Sequence, residues 1–129
     1  MQVGVKLEKV FEVTSERLAS RVGSGMLPVF STPSMISCME NTAAALVQQD
    51  LQPGQGTVGY IVNIKHLCPT PAGQQVRVVA TLTGIEGKML EFKVEAFDAC
   101  GKIGEGAHTR CIITDERFMQ KANGRVEKH

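Results

Sequence analysis

Most of the chain alternates between apolar and polar residues. Near the start, one parity is mainly apolar and the other mainly charged, with Val5, Leu7, Phe11 and Val13 set against Lys6, Glu8 and Glu12. A period of two is typical of a strand with one buried face. The pattern therefore predicts a first strand at about residues 5–13.

A different periodicity begins after Pro33. Apolar side chains recur there at spacings of three and four residues: Met35, Ile36, Met39, Ala43, Leu46 and Val47. This spacing predicts an amphipathic helix over residues 33–49, with Pro33 in its first turn and Thr32 as its N-cap. Before it, Thr14 and Ser15 can cap a short helical segment, and SGMLPVFST is predicted to run irregularly over the surface.

Four further strands are predicted beyond a turn at LQPGQG. The first is TVGYIVNIKH (57–66), in which one parity holds Val58, Tyr60, Val62, Ile64 and His66. Three more follow, joined by short turns at Gly87 and at 99–101, before a polar tail from Glu116 that is predicted to fray. The order β-α-β-β-β-β, with a helix of about 25 Å covering the sheet, predicts one α+β domain over residues 1–129. An antiparallel sheet wrapped around one long central helix is the hot-dog fold.

Charge and cysteine usage exclude several classes of protein. Fourteen Lys and Arg residues against 13 Asp and Glu leave a formal net charge of +1, so neither nucleic acid nor an anionic membrane is expected as a partner. The four cysteines form no C-x-x-C pair, and no metal site is predicted. Charges interrupt the N-terminal apolar residues, so we expect neither a signal peptide nor a membrane span. We expect a cytoplasmic protein with reduced cysteines.

Two polar side chains are predicted to point toward the core. Glu40 falls only about 20° from Val47 on the helical wheel, at the edge of the apolar stripe, although it could also lean out to water. A carboxylate in that position is partly desolvated and needs a partner. His66 shares the parity of the apolar residues in its strand and could be an acid-base group or a structural histidine.

Other candidates have simpler explanations. Thr32 lies at a helix N-terminus, where backbone N–H groups could also receive a carbonyl oxygen that develops negative charge. His108 and Arg110 share a strand face with two glycines, for which a solvated surface is the default interpretation. Cys38 lies away from the centre of the apolar stripe, with no basic residue beside it, and is predicted to be inert.

Three separate segments carry a family resemblance. They are VFSTPSMISCMENTAAALV, LQPGQGTVGYIVNIKHLCPTPAGQQVRVVATL and GKIGEGAHTRCII. Over about residues 29–114 the chain resembles the thioesterase-superfamily hot-dog proteins and is most similar to the fluoroacetyl-CoA thioesterase group. The shared features are the order Thr, Glu on the central helix, His at the end of the next strand, then P-x-G. Where that group has a longer, aromatic-containing lid, this chain has the shorter RVGSGMLP, so the resemblance does not imply selectivity for fluorinated substrates.

The resemblance implies a site and a reaction. It implies a catalytic set of Thr32, Glu40 and His66, and substrate contacts from Gly59, His108 and Arg110. The implied enzyme is an acyl-CoA thioesterase acting on a small or medium acyl group. It would have no cofactor, since CoA is part of its substrate. It would be a homodimer with CoA at the subunit boundary. Glu40 would act as nucleophile or as general base on water, and His66 would orient or exchange protons.

Three alternatives stay open at the level of sequence. Hot-dog domains also support acyl-thioester hydratases and dehydratases, and the same fold could bind acyl-CoA without catalysis or serve as a structural dimer. The sequence also raises a geometric problem, because eight residues of continuous helix separate Thr32 from Glu40 by about 12 Å.

Overall fold

The computed structural model describes residues 1–128 and contains five strands and three α-helices. In chain order these are β1 Lys6–Glu12, a 3-10 turn at Ser15–Arg17, α1 Ala19–Val22, α2 Thr32–Gln48, β2 Gln55–His66, β3 Gln75–Glu86, β4 Met89–Asp98, β5 Gly101–Thr114 and α3 Asp115–Glu127. The predicted strands and the long helix are therefore confirmed. Their boundaries differ from the predicted ones by a few residues at most.

The strands form one antiparallel sheet in the order β1-β3-β4-β5-β2. Helix α2 packs on one face of this sheet and makes contacts with all five strands. The core between them is aliphatic, and Val76, Val78, Val94, Met35 and Met39 have no exposed surface. The α+β hot-dog architecture predicted from the element lengths is confirmed. Strands β1 and β2 are the two edges of the sheet.

Helix α2 begins one residue earlier than predicted, and its cap is a different residue. Ser31 is the N-cap, because its Oγ accepts a hydrogen bond from the backbone N–H of Ser34 at 3.1 Å. The prediction that Thr32 caps the helix is wrong, since Thr32 is already helical. The hydroxyl of Thr32 is consequently available for a contact outside the helix.

The buried face of α2 is wider than the predicted stripe. Cys38 is only 3% exposed and Thr42 is fully buried, whereas Ile36 is only half-buried. The prediction that Cys38 turns away from the core is wrong, because Phe11 of β1 and Arg17 of the 3-10 turn lie beside it and widen the covered face of the helix. Burial raises the pKa of the Cys38 thiol, which agrees with its predicted inertness. The prediction that no basic residue lies beside it is wrong, because Arg17 and Lys9 partly oppose this rise.

Strand β2 contains a β-bulge that changes which residues face the helix. Its register against β5 shifts between Gly59 and Ile61, which leaves Tyr60 as the extra residue, 69% exposed. A bulge adds one residue to one strand and reverses the inward parity beyond it. The prediction that Val58 and Tyr60 share the inner face with His66 is therefore wrong. Gly59 faces inward instead.

Two segments predicted to lack order have defined structure. The tail predicted to fray from Glu116 forms helix α3, which has no buried residue. The segment before α2, predicted to run over the surface, buries Phe30 at 1% exposure. Among residues 1–128, no helix is both long and apolar enough to cross a membrane.

Candidate active site

The six residues singled out in the sequence lie in two groups. Thr32 and His66 meet where α2 begins and β2 ends. The other group lies further along α2 and consists of Glu40, Gly59, His108 and Arg110. Within residues 1–128, no hydrogen bond or ion pair joins Thr32 or His66 to Glu40. This agrees with the separation expected from a continuous helix.

Thr32 and His66 share a short hydrogen bond. Thr32 Oγ1 lies 2.8 Å from His66 Nδ1, and the buried Phe30 ring stands edge-on to the imidazole with centroids 6.3 Å apart. His66 Nε2 is buried and makes no hydrogen bond within the described part of the chain. Burial lowers the pKa of His66 below its ordinary 6.5, an effect that the Cys68 main chain partly opposes. The imidazole is therefore neutral near pH 7.

This pair opens into a cleft of about 290 Å³. No charged side chain lines the cleft, whose walls are Ala19, Ser24, Val29, Phe30, Ser31, Thr32, His66, Leu67, Cys68 and Pro69. Apolar walls with a few convergent polar groups are typical of a small-molecule site. The cleft can hold a small, uncharged group against the Thr32 hydroxyl and the imidazole.

Arg110 organises the second group. Its Nε and Nη2 donate to the side chain and the carbonyl of Thr57 at 2.8 and 3.0 Å, and its Nη1 donates to His108 Nε2 at 3.1 Å. Nη1 also lies 3.6 Å from Glu40 Oε2. Burial lowers the pKa of Arg110 and the Glu40 carboxylate opposes this, but a guanidinium keeps its charge in proteins. A fixed cation therefore holds the Glu40 carboxylate beside β2.

His108 is a neutral imidazole that links Arg110 to strand β2. Because a guanidinium can only donate, His108 Nε2 must accept from Arg110, so the ring proton is on Nδ1 and is donated to the Ile61 carbonyl at 2.7 Å. Burial is the main reason why the pKa of His108 is lowered. The imidazole is 1% exposed and stacks on Phe92. The default interpretation of His108 and Arg110 as a solvated surface is wrong, since both face the core side of the sheet.

Gly59 is the point at which Glu40 reaches the sheet. A Cβ built on Gly59 would lie 2.7 Å from Glu40 Oε2, closer than real Cβ contacts allow. The Glu40 side chain is 38% exposed, which agrees with its predicted position at the edge of the apolar stripe. The glycine therefore leaves the space that the carboxylate occupies, and the inward turn of Gly59 depends on the bulge at Tyr60.

Three residues of the site region were not predicted from the sequence. Thr57 holds Arg110 through two hydrogen bonds, Phe30 packs against His66, and Ser31 caps the helix that presents Thr32. Only Ser31 had a usable signal, since serine before a Thr-Pro pair is a good N-cap. The contact of Thr57 depends on strand register, which alternation alone does not determine.

Comparison with known proteins gives one consistent family. The model of the fluoroacetyl-CoA-specific thioesterases matches residues 13–116. A fluoroacetyl-CoA thioesterase from Streptantibioticus cattleyicolor is 37% identical over 93 residues, which cover 72% of this chain and 67% of that protein.

Solved structures agree with the sequence matches. A variant of the fluoroacetyl-CoA thioesterase in complex with acetyl-CoA superimposes with a TM-score of 0.93 at 29% identity, covering 97% of this chain and 98% of that chain. A thioesterase-superfamily member from Thermus thermophilus gives a TM-score of 0.88 at 27% identity, with 99% and 97% coverage.

Proposed function

The chain belongs to the fluoroacetyl-CoA-specific thioesterase family and is an acyl-CoA thioester hydrolase, and from this premise we propose which acyl groups it takes and which residues act on them. The proposed acyl group is small. Ligand pockets usually measure about 300–1,000 Å³, and the cleft beside Thr32 and His66, at about 290 Å³, lies at the lower end. A related structure holds acetyl-CoA, which agrees with that size.

We propose that the active unit is a homodimer joined through β2. This strand ends the sheet, and its outer edge carries three apolar residues with large exposed fractions, Tyr60, Ile61 and Val62. An exposed apolar edge strand is a template for pairing with another strand. A second copy of β2, related by a two-fold axis, would cover this edge and extend the sheet.

Such pairing would place the two groups of residues together. If two antiparallel β2 strands pair about Ile61, Gly59 of the partner subunit lies opposite Asn63, which is about three residues from His66. Within one strand, about seven residues separate Gly59 from His66. At about 3.3 Å per residue, Glu40 of the partner subunit then lies within about 10 Å of His66 along the strand. A substrate carbonyl in the cleft can fill that gap.

The proposed roles follow from these positions. Thr32 and the N-terminus of α2 receive the thioester carbonyl oxygen as it gains negative charge. The Glu40 carboxylate, held by Arg110, takes a proton from the attacking water or attacks the carbonyl itself. The carbon–sulfur bond then breaks. On the direct route the acid is released, and the proton taken from water passes through His66 to the CoA thiolate. On the covalent route a water molecule hydrolyses the Glu40 anhydride, which releases the acid and supplies that proton. The hydrogen bond between Thr32 and His66 is the observation that carries this assignment.

The test is hydrolysis of a short acyl-CoA panel by the wild type and by Thr32→Ala, Glu40→Gln and His66→Ala. We expect thiol release to fall at least 100-fold in each variant, with unfolding temperatures that show a folded protein. Wild-type turnover in all three folded variants would contradict the site assignment. Tight acyl-CoA binding by the wild type without thiol release would instead support a binding module.

The covalent and direct routes differ in where the oxygen of water first appears. In a single turnover in ¹⁸O-labelled water, direct attack labels only the product acid. An intermediate on Glu40 places label in that carboxylate when the anhydride is hydrolysed at the protein carbonyl. Mass spectrometry of the Glu40 peptide and of the product acid after that single turnover reports this difference.

A further inference from the structure

A second cavity lies between β1, the 3-10 turn and the polar face of α2. It measures about 230 Å³ and is lined by Phe11, Arg17, Ser34, Ser37, Cys38 and Asn41. It shares no lining residue with the cleft at Thr32 and His66, and no carboxylate is among its lining residues. The cavity is therefore separate from the candidate active site.

Two cationic side chains reach this cavity. Arg17 lies in its wall, where Nη1 donates to the Glu12 carbonyl at 2.7 Å. Lys9 reaches its rim, where Nζ donates to Asn41 Oδ1 at 2.7 Å. Both cations flank the Phe11 ring, with Lys9 Nζ 5.8 Å and Arg17 Cζ 5.5 Å from its centroid. Two like charges are thus concentrated around one aromatic ring, and their hydrogen-bond partners are neutral.

Neither cation has an acidic partner. Within residues 1–128, the Lys and Arg side chains that are half-buried or buried are Lys9, Arg17, Lys102 and Arg110. Lys102 pairs with two glutamates, and Arg110 lies beside Glu40. Lys9 and Arg17 form no ion pair in the same part of the chain. A charge that is partly withdrawn from water needs a partner, so the fold leaves room for an anion between these two side chains.

Helix α2 supplies neutral donors on the other side of the cavity. Ser34, Ser37 and Asn41 recur at spacings of three and four residues and therefore share one face of the helix. The hydroxyls of Ser34 and Ser37 make no hydrogen bond with any of residues 1–128, since Ser34 takes part in capping only through its backbone N–H. Asn41 Oδ1 accepts from Lys9, which leaves the Asn41 NH₂ group free to donate. The wall opposite the cations thus offers donors to oxygen atoms.

We propose that this cavity binds a small phosphate dianion, held by Lys9 and Arg17 and by the hydroxyls of Ser34 and Ser37. A phosphate group carries a charge of about −1.5 to −2 at pH 7, which matches two cations, whereas a monocarboxylate would neutralise only one. Arg presents a planar fork to phosphate oxygens and Lys a point charge. The volume lies below the about 300 Å³ at which ordinary ligand pockets begin, so the anion is small. The inference goes beyond the proposed function, because it uses none of the residues assigned to hydrolysis.

The anion would join the elements that present Thr32. The Arg17 carbonyl accepts from the backbone N–H of Ser31 at 2.8 Å, and Ser31 is the N-cap of α2. A phosphate shared by Lys9, Arg17 and the helix therefore links β1, the 3-10 turn and the start of α2. Because the three elements come together only in the folded chain, the bound anion stabilises the fold by mass action.

The experiment uses inorganic phosphate and two pairs of charge-matched variants. Lys9→Gln and Arg17→Gln each remove one cation from the cavity. Lys6→Gln on the same strand and Arg21→Gln in α1 each remove one exposed cation outside it. Calorimetry in a zwitterionic buffer at pH 7 measures the affinity for phosphate, for acetate, and for phosphate in the presence of saturating CoA. Thermal unfolding with and without phosphate measures the stabilisation.

We expect the wild type to bind one phosphate per chain, at least tenfold more tightly than acetate. Lys9→Gln and Arg17→Gln should each weaken phosphate binding at least fivefold and reduce the rise in unfolding temperature that phosphate causes. Lys6→Gln and Arg21→Gln should change the affinity less than twofold. Each pair is a complete test if a variant of the other pair does not fold.

Three results would overturn the proposal. The first is a wild type that binds phosphate no better than acetate, and the second is an equal loss of affinity in a cavity variant and its control. The third is competition between CoA and phosphate, which would assign the two cations to the phosphates of the substrate. Unchanged phosphate affinity in saturating CoA would support a separate site for a free anion.

Discussion

Arg110 shows how single residues build this site. Arg110 is 8% exposed, and its guanidinium lies beside the Glu40 carboxylate while it donates three hydrogen bonds to Thr57 and His108. The position of Glu40 is therefore set by a buried network and by the absence of a side chain at Gly59.

Gly59→Ala tests the space at that point. The new Cβ would overlap Glu40 Oε2, and we expect kcat to fall at least tenfold because the carboxylate must move away from Arg110. Gly84→Ala is the matched control, since its Cβ would meet the carboxylate of Glu91, at 3.0 Å, in a strand remote from the site. Steady-state kinetics of both purified variants are the measurement, and equal kcat values for the two would refute the interpretation.

At the start of helix α2, two neighbouring residues have different roles, one structural and one chemical. Ser31 caps it through the Ser34 N–H, and this leaves the Thr32 hydroxyl to contact His66 across the cleft. Strand β2 plays a complementary part, because its bulge directs both Gly59 and His66 toward the helix although their parities differ. Neighbouring residues in sequence thus have different functions because the element boundary falls between them.

Ser31→Ala and Thr32→Ala should affect different quantities. Loss of the cap should lower the free energy of unfolding by about 1 kcal/mol, while Thr32→Ala should leave it nearly unchanged and abolish most of the activity. Urea denaturation and thiol-release assays on the same preparations provide the two numbers. A stability loss in Thr32→Ala as large as that in Ser31→Ala would show that Thr32 has a structural role after all.

At the scale of the whole molecule, two histidines, His108 buried and His66 half-buried, make stability depend on pH. Burial lowers the pKa of both His66 and His108 from 6.5, so below pH 6.5 the unfolded chain binds protons that the folded chain does not. This contribution to the free energy of unfolding is complete above pH 6.5 and decreases as the pH falls from 6.5 through the folded pKa values.

Denaturation with urea at several pH values between 5 and 8 tests this. We expect the stability of the wild type to decrease below pH 6.5, with a slope of up to about two protons. His66→Gln should reduce that slope by up to one proton, because the substituted side chain does not titrate. An unchanged slope in His66→Gln would mean that this imidazole is protonated as easily in the folded protein as in the unfolded chain.

The assembly of the site across two subunits can be tested by mixing inactive chains. In a heterodimer of Thr32→Ala with Glu40→Gln, one site carries both substitutions and the other carries neither, if Glu40 acts on the cleft of the partner subunit. Random reassociation should then restore about a quarter of the wild-type activity. No restoration in a mixture shown to exchange subunits would place Glu40 and Thr32 in the same subunit's site.

Periodicity and element length determined the fold class without any tertiary information. Alternation over residues 5–13 and 57–66 and the stripe from Met35 to Val47 were enough for an antiparallel sheet with one covering helix, because side-chain burial follows the period of each element. The same reasoning identified Glu40 and His66 as polar groups directed inward. The segments VFSTPSMISCME and GEGAHTRC, by their resemblance, pointed to acyl-CoA hydrolysis.

Tertiary structure alone decided how the candidate residues are grouped. The bulge at Tyr60 reverses the facing of Gly59, and the register between β2 and β5 brings Thr57 to Arg110, although neither follows from local alternation. Burial of His108 and Arg110 likewise depends on the strands on either side of β5. The physical reason is that period and propensity act over a few residues, whereas register and bulges are set by packing between strands distant in sequence.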